Sequence, residues 1–413
     1  MELKSLQNAD VKGKTVLYRA PYDIDVVEEH GKLVVKDDMR ISATLPTLQY
    51  LLEQDCKIVI LTYVGRPDGK IVENLRTTPH AEKLAELLGH KVYKIDDCIG
   101  AGVEERISQM NSGEILMLEN VRFYSDEMID DDNFASKLCK GMDIIVFDGF
   151  PQAHREHAST TGIERHLPAV AGLYLEKEVN MLVALLQDPR RPFTVIIGGA
   201  KVSDKVGAIR NLIPIADTFL VGGAVANVFL KAQGKTLGDS FIEDVFVDKA
   251  KRAKVDWVDE ARSILNEIEK AGKKIITPVD LIVTNGTEIK TVNMLESQVE
   301  KGWMALDIEG DTAKMFRQII SESKTVFLNG PMGKFEDERF SHGSQTILST
   351  MKDLRGTGDT IIAGGDTIDL VRQYGDLNDY TNISLAGGAT LEFLAGKELP
   401  ALLPLLKDFK FIK

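Results

Sequence analysis

Cysteine is scarce in this sequence, with three residues among 413: Cys56, Cys98 and Cys139. The count is odd and no two are spaced as metal ligands are, so a disulfide framework and a cysteine zinc site are excluded and a reducing compartment is expected. Long apolar runs are also missing. None approaches the roughly 18 residues of a membrane span, and the first residues lack the apolar segment of a secretory signal. Positive charge is short as well: 50 Lys and Arg stand against 63 Asp and Glu, a net charge of −13. A general nucleic-acid or anionic-membrane face would need the opposite balance. These absences predict a cytoplasmic protein without nucleic-acid or membrane partners. Any anion site must be assembled locally from clustered cations.

Several catalytic signatures are absent too. Gly234-Lys235-Thr236 suggests a phosphate-binding P-loop, but Phe229 stands where its first glycine belongs. No G-x-G-x-x-G follows a strand, so the dinucleotide fingerprint fails, and an oxidoreductase would rest on the α/β pattern alone. There is no G-x-S-x-G nucleophile turn. His154 and His157 lie three residues apart without a third ligand, which leaves a zinc site unsupported.

What the chain does contain is a repeated strand ending. TVIIGG (194–199), TFLVGG (218–223), TIIAGG (360–365) and ISLAGG (383–388) are apolar runs that close on a double glycine, and TVFLNGPMG (325–333) closes on a related turn. A peptide N–H without a neighbouring Cβ can be approached closely. Ligands of open α/β sheets bind outside the carboxyl ends of the strands. Five such ends in one half predict a phosphate-binding rim, although glycine also serves simply to make tight turns.

Strand-like runs at 14–19, 57–62, 114–120 and 143–148 alternate with amphipathic stretches at 43–54, 79–89 and 133–140. In the second half, helices are expected near 203–213, 223–233, 256–271, 312–322, 341–354 and 366–374. This alternation predicts an α/β fold with two doubly wound, Rossmann-like parallel-sheet domains. The length exceeds what one core usually supports. The periodic segment 174–187, stopped by DPRRP, predicts a hinge helix over 174–190. It separates a domain at 1–173 from one at 191–395. The apolar tail 396–413 must pack on something, and the first domain is its expected partner.

The strand ends of the first half carry arginine: Arg66 in VGRP, Arg122 in LENVRF, and His154 with Arg155 in AHREH, while Arg40 lies near a helix start. Guanidinium groups bind carboxylate and phosphate bidentately, so the cluster predicts a site for a small anion. In GGAKVSDK, Lys201 and Lys205 are four apart and are expected on one helix face after the double glycine, where a helix N-terminus favours anions. Asp366 and Thr367 open another helix. Asp366 is a candidate N-cap or a candidate ligand for Mg²⁺ bridging phosphates. Glu336 is a candidate acceptor for ribose hydroxyls. An anion lobe, a nucleotide-phosphate lobe and a hinge suit phosphoryl transfer.

DGF-Q-AHR-H (148–157), GGAKVSDK (198–205), NGPMG-FE (329–336), GGDT (364–367) and EFLAGKELP (392–400) together resemble the phosphoglycerate kinase family nearly end to end, and TPVDLIV (277–283) looks most like its archaeal members. The resemblance implies a hinge-closing, Mg²⁺-dependent enzyme of glycolysis and gluconeogenesis, a monomer working with ATP/ADP. It would interconvert 1,3-bisphosphoglycerate and 3-phosphoglycerate. By position, Asp23, Asp25, Arg40, Tyr63, Arg66, Arg122, His154 and Arg155 would bind phosphoglycerate. Arg40 and Lys201 would stabilise the transferring group. Gly199, Lys201, Lys205, Gly222, Gly223, Asn329, Pro331, Glu336, Gly364, Gly365, Asp366 and Thr367 would hold nucleotide, with Asp366 on the metal. Gly387 and Gly388 would open a helix aimed at the reaction. A carboxylate nucleophile is ionised at neutral pH, so no general base is required.

The chain departs from the family pattern at Asp25, where asparagine is usual, and at Tyr63, where histidine is usual. Ala363 and Ala386 replace the first glycine of two triplets. A methyl group at either alanine would shift its turn if the position required positive φ. These departures keep open an alternative, a catalytically degraded relative that binds nucleotide or phosphoglycerate.

Overall fold

The structure, a computed structural model, describes residues 1–243, 245–248 and 253–408. The chain forms two compact units: Met1–Asn180 together with the chain from Glu398 onward, and Met181–Lys397. Among the described residues no helix is long and apolar enough to cross a membrane.

In the first unit six strands form one parallel sheet: β1 (Thr15–Arg19), β2 (Lys57–Leu61), β3 (Val92–Lys94), β4 (Ile115–Met117), β5 (Ile144–Phe147) and β6 (Ala169–Ala171). Their order is β3-β4-β2-β1-β5-β6. The central strands are near-continuous apolar runs with almost every residue buried, as expected when helices cover a parallel sheet. From β1 the chain moves one way to β2, and later to β5 on the other side of β1. That reversal marks the carboxyl ends of β1 and β5 as the place for a ligand. Helix α1 (Met39–Glu53) starts four residues earlier than its hydrophobic pattern predicts, which puts Arg40 in its first turn.

The second unit repeats the design with β7 (Phe193–Ile197), β8 (Thr218–Val221), β9 (Lys274–Ile276), β10 (Thr325–Asn329), β11 (Asp359–Ala363) and β12 (Asn382–Ser384). Their order, β9-β8-β7-β10-β11-β12, is that of the dinucleotide-binding fold, with its reversal between β7 and β10. The double-glycine runs are thus strands of one sheet. The sequence pattern gave no warning of three antiparallel pieces. These are a hairpin of Val26–Glu29 with Lys32–Val35, a second of Val245–Asp248 with Ala253–Asp256, and a sheet of Asp280–Thr284 between Ile289–Asn293 and Met304–Ile308.

Helix α2 (Leu173–Gln187) carries the chain from the first unit into the second. Its start is fixed by Asp148, just past β5. The Asp148 carboxylate accepts from Tyr18 Oη at 2.8 Å and from the Leu175 N–H at 2.9 Å. Burial pushes its pKa up to about 6. The chain returns to the first unit at its far end: the Lys4 N–H donates to Leu405 O at 2.7 Å, and the Ala401 N–H to Ala153 O at 3.1 Å. Of the tail expectation, residues 409–413 lie outside the described residues.

Gly172 precedes α2, and a Cβ there would overlap the Asp148 carboxylate. Gly172→Ala should therefore lower stability by about 1–3 kcal/mol. Gly102, in the helix Ala101–Ser108, has open space around its Cβ position, and Gly102→Ala should be neutral or slightly stabilising. Urea midpoints followed by circular dichroism check the pair.

Candidate active site

The arginine-bearing loops of the first unit meet around Gly65. Its N–H donates to Asp23 Oδ1 at 2.8 Å, and its carbonyl accepts from Arg122 Nη1 at 2.7 Å. Its φ is +64°, and a Cβ would press on the Leu75 side chain at 2.9 Å, so glycine is required. Arg40 Nη1 donates to Asp23 O at 2.6 Å. Tyr63 is buried, with the Arg122 guanidinium 3.5 Å from its ring centroid. Arg155 Nη1 donates to Tyr63 Oη at 3.2 Å, and its Nε to His154 Nε2 at 3.2 Å. The network therefore gathers Asp23, Arg40, Tyr63, Arg122, His154 and Arg155. Arg66 follows Gly65 in the chain and is exposed. Asp25 is exposed and takes no part in the network; its carbonyl receives the Lys36 N–H.

The second unit carries two cavities at its strand ends. The larger, about 910 Å³, is lined by Lys201, Lys205, Asn329, Gly364, Gly365, Asp366, Thr367, Gly387 and Gly388 among others. The smaller, about 310 Å³, includes Gly199, Gly223, Pro331, Glu336 and Asp366, with an apolar wall of Phe241, Leu281, Met304 and Met332. Asp366 lines both.

Three sequence expectations need correction here. Lys201 and Lys205 do not share a helix face, because helix α3 spans only Val206–Leu212. Residues 203–205 form a turn instead, in which Glu243 accepts both the Ser203 N–H at 2.9 Å and its Oγ at 2.6 Å. The two lysines meet as lining of one cavity. Asp366 is not an N-cap: Gly364 caps helix α4 (Gly365–Tyr374), and Asp366 sits exposed in its first turn. The double glycines also divide by role. The Gly199 and Gly223 N–H groups donate to Pro331 O and Met332 O, each at 2.8 Å, so these turns interlock with one another. Gly222 lines neither cavity, and Met332 occupies the place of its missing side chain. By contrast, the Cβ positions of Gly365, Gly387 and Gly388 face open space. Positive φ falls on Gly364 (+97°) and Gly387 (+50°), not on Ala363 or Ala386. The two alanine replacements therefore leave their turns unstrained.

Comparison with known proteins fits this arrangement. The phosphoglycerate kinase family model matches residues 6–397. The phosphoglycerate kinase of Pelotomaculum thermopropionicum is 41% identical over 98% of this chain and 100% of its own length. That of Moorella thermoacetica is 40% identical over 97% and 98%. The solved structures of the Pyrococcus horikoshii and Coxiella burnetii enzymes each superpose with a TM-score of 0.82 over 98% of both chains, at 34% and 31% identity. The chain belongs to the phosphoglycerate kinase family.

Lys205 is the most perturbed cation of the phosphoglycerate kinase rim. Its Nζ donates to Asn329 Oδ1, whose Nδ2 donates to Ala363 O at 2.9 Å. Burial lowers its pKa to about 8, against the opposing pull of Asp204 and Asp366. The Thr367 hydroxyl is engaged by the protein, accepting from the Gly330 N–H and donating to Ala363 O, both at 2.8 Å. Thr367 thus ties the loops after β10 and β11 together. Among the described residues no group of three or more His, Cys, Asp or Glu side chains could cage a metal. Asp366, an exposed carboxylate in the lining of both cavities, fits Mg²⁺, which takes one or two carboxylates and completes its shell with phosphate and water.

Sequence reasoning missed Arg19, Glu127 and Glu243. Arg19 is fully buried, with Nε donating to Ser159 O at 2.9 Å and Oγ at 3.2 Å. Ser159 Oγ in turn donates to Glu127 Oε1 at 2.6 Å. The only signal for Arg19 was a charged residue closing an apolar strand. His157 is buried with its pKa lowered to about 4, by burial first and then by Arg122, Arg155 and Arg19. It is a neutral packing residue at neutral pH.

Free Lys205 is a cation below about pH 8 and loses its charge above it. In the reading proposed below Lys205 contacts nucleotide phosphates, which favour the cation, so the ATP dissociation constant should stay flat below about pH 7.5 and rise through pH 8–9.5. The limiting slope is about tenfold per unit. Lys205→Arg should flatten this rise. Calorimetric titration across that range is the check.

Proposed function

We propose that this chain is an active phosphoglycerate kinase that transfers a phosphoryl group reversibly between 1,3-bisphosphoglycerate with ADP and 3-phosphoglycerate with ATP. The observation that carries this reading is the state of the cations. Among the described residues Arg66, Arg122, Arg155, Lys201 and Lys205 enter no ion pair. Arg122 and Arg155 are held by a carbonyl, a hydroxyl, an imidazole nitrogen and an aromatic ring. Their charge is available to an anion.

In this reading Asp23, Arg40, Arg66, Arg122, His154 and Arg155 orient phosphoglycerate. The 310 Å³ cavity takes the adenosine, with Glu336 at its mouth for the ribose. Lys205 holds nucleotide phosphates against the open glycines, and Gly387–Gly388 start the helix Gly388–Leu394 facing the larger cavity. Asp366 would hold Mg²⁺, which supplies neutralisation of the phosphate oxygens when bound. Arg40 and Lys201 neutralise charge on the transferring group, the largest usual contribution in such chemistry. The acceptor carboxylate attacks in line when the hinge helix α2 brings donor and acceptor together, and exclusion of water then protects the phosphoryl group from hydrolysis. A cytoplasmic monomer is the form we propose, the compartment on the composition grounds given above and the monomer on the family resemblance.

With Mg²⁺, ATP and 3-phosphoglycerate, a coupled assay should show turnover. Absence of turnover with nucleotide binding intact would instead support a binding-only relative. Arg40→Ala and Lys201→Ala should each lower kcat by roughly 10²-fold or more, since both act on transition-state charge. A change confined to KM would refute the role assigned to that residue.

A further inference from the structure

Three arginines crowd round one buried ring. The guanidinium carbons of Arg122 and Arg19 lie 3.5 Å and 5.4 Å from the centroid of Tyr63, and Arg155 Nη1 donates to its hydroxyl at 3.2 Å. The ring is 1% exposed. Like charges gathered this closely repel, and a loop arginine has several rotamers that would separate them. A carboxylate could hold them in place but would cancel the charge that an anionic substrate needs. An aromatic face attracts a guanidinium through its quadrupole and brings no charge of its own. A phenol oxygen adds a neutral acceptor for the next guanidinium.

We propose that Tyr63 is the positioning residue of the phosphoglycerate half-site. Its ring fixes Arg122 and its hydroxyl fixes Arg155, both without neutralisation, while the side chain itself lies too deep to touch substrate. The proposal rests on the assignment of this cluster to phosphoglycerate. It predicts a graded response. Tyr63→Phe keeps the ring under Arg122 and loses only the bond to Arg155. Tyr63→Leu loses both.

The test measures kcat, KM for each substrate, the calorimetric dissociation constant of 3-phosphoglycerate, and the thermal midpoint. For Tyr63→Phe, KM and dissociation constant for 3-phosphoglycerate should rise by about fivefold, the worth of one modest hydrogen bond. For Tyr63→Leu they should rise by about thirtyfold or more as the ring contact is lost too. KM for ATP should stay within about twofold in both, because that substrate binds the other unit. In an Arg155→Ala background, Tyr63→Phe should be nearly silent. This cycle decides the matter even if Tyr63→Leu fails to fold.

Equal losses in the Phe and Leu variants would show the hydroxyl to be a direct substrate ligand and overturn the proposal. So would an undiminished effect of Tyr63→Phe when Arg155 is absent, or KM values for both substrates rising together with a fall in thermal midpoint. Wild-type protein that binds 3-phosphoglycerate but does not turn over would count against the kinase reading alone. Wild-type protein that turns over while the Phe and Leu variants match it would count against this proposal alone.

Discussion

The structure depends on keeping cations positioned without neutralising them. A protein with a net charge of −13 has carboxylates enough to pair every arginine it owns. Elsewhere on the surface it does so: Arg76 with Glu73 and Glu119, Arg165 with Asp130 and Asp132, Arg210 with Glu260 and Glu267. At the strand ends the partners change in kind. Arg122 meets a carbonyl and a ring, Arg155 a hydroxyl and an imidazole nitrogen, and Lys205 an amide oxygen. Even Arg19, buried beneath them, is linked to Glu127 through the hydroxyl of Ser159. Neutral acceptors take up most of the N–H groups, as a buried site demands, with Arg19 Nη2 and Arg122 Nε left without a partner among the described residues, and the field of the cation persists. Phosphates bring repelling charge to one place, and this arrangement opposes it before any substrate arrives.

That requirement explains the topology's value. A parallel sheet delivers all its strand ends to one edge, so residues far apart in sequence converge with little chain between strand and site. In the first unit β1, β2, β4 and β5 deliver Asp23, Tyr63, Arg122 and Arg155. In the second, β7, β10 and β11 deliver Gly199, Asn329 and Gly364. The loops then need anchoring to one another rather than to their own strands. Gly65 does this in the first unit by donating to Asp23 and accepting from Arg122. In the second, Pro331 O and Met332 O receive the N–H groups of Gly199 and Gly223. Both anchors are backbone groups, which carry no net charge.

The sequence was most legible where burial is two-sided. Nine of the twelve strands described in the parallel sheets read directly as apolar runs, and most helices as periodic stretches; β3, β6 and β9, each three residues long, did not. Nor did the antiparallel pieces. The strand Ile289–Asn293 has only Val292 buried and so lacks the pattern that a covered sheet imposes, whereas Asp280–Thr284 is buried throughout but its run was read only for its family resemblance. Arg66, Arg122 and Arg155 were legible because each follows a strand, and Arg40 because it lies near a helix start. Arg19 was not, since it closes a strand whose other residues are core. The placement of Lys201 and Lys205 on one helix face failed for a tertiary reason. Glu243, some 40 positions away, takes the Ser203 N–H and hydroxyl and delays the helix until Val206. Spacing alone cannot register a competitor so distant in the chain.

The acidic side of the ledger follows the same logic. Asp148 and Asp307, each close to a strand end, are buried, and burial raises their pKa values to about 6 and about 7. Their oxygens are taken up by Tyr18 and Leu175 in one case and by the Ile308 and Gly343 N–H groups in the other. A carboxyl group with a raised folded pKa favours folding below its unfolded value near 4, and this contribution is lost as pH rises through the folded value. These groups are therefore sources of strain at neutral pH. Hydroxyl and amide donors take up the charge of both, that of Asp307 while it still lines the smaller cavity. Asp366, exposed in the first turn of α4 and bordering both cavities, faces the other way. Asp204, Glu243, Glu260 and Glu392 also line the larger cavity; the place of Asp366 on both cavities is what makes it the ligand we propose for a divalent cation lying between carboxylate and phosphate.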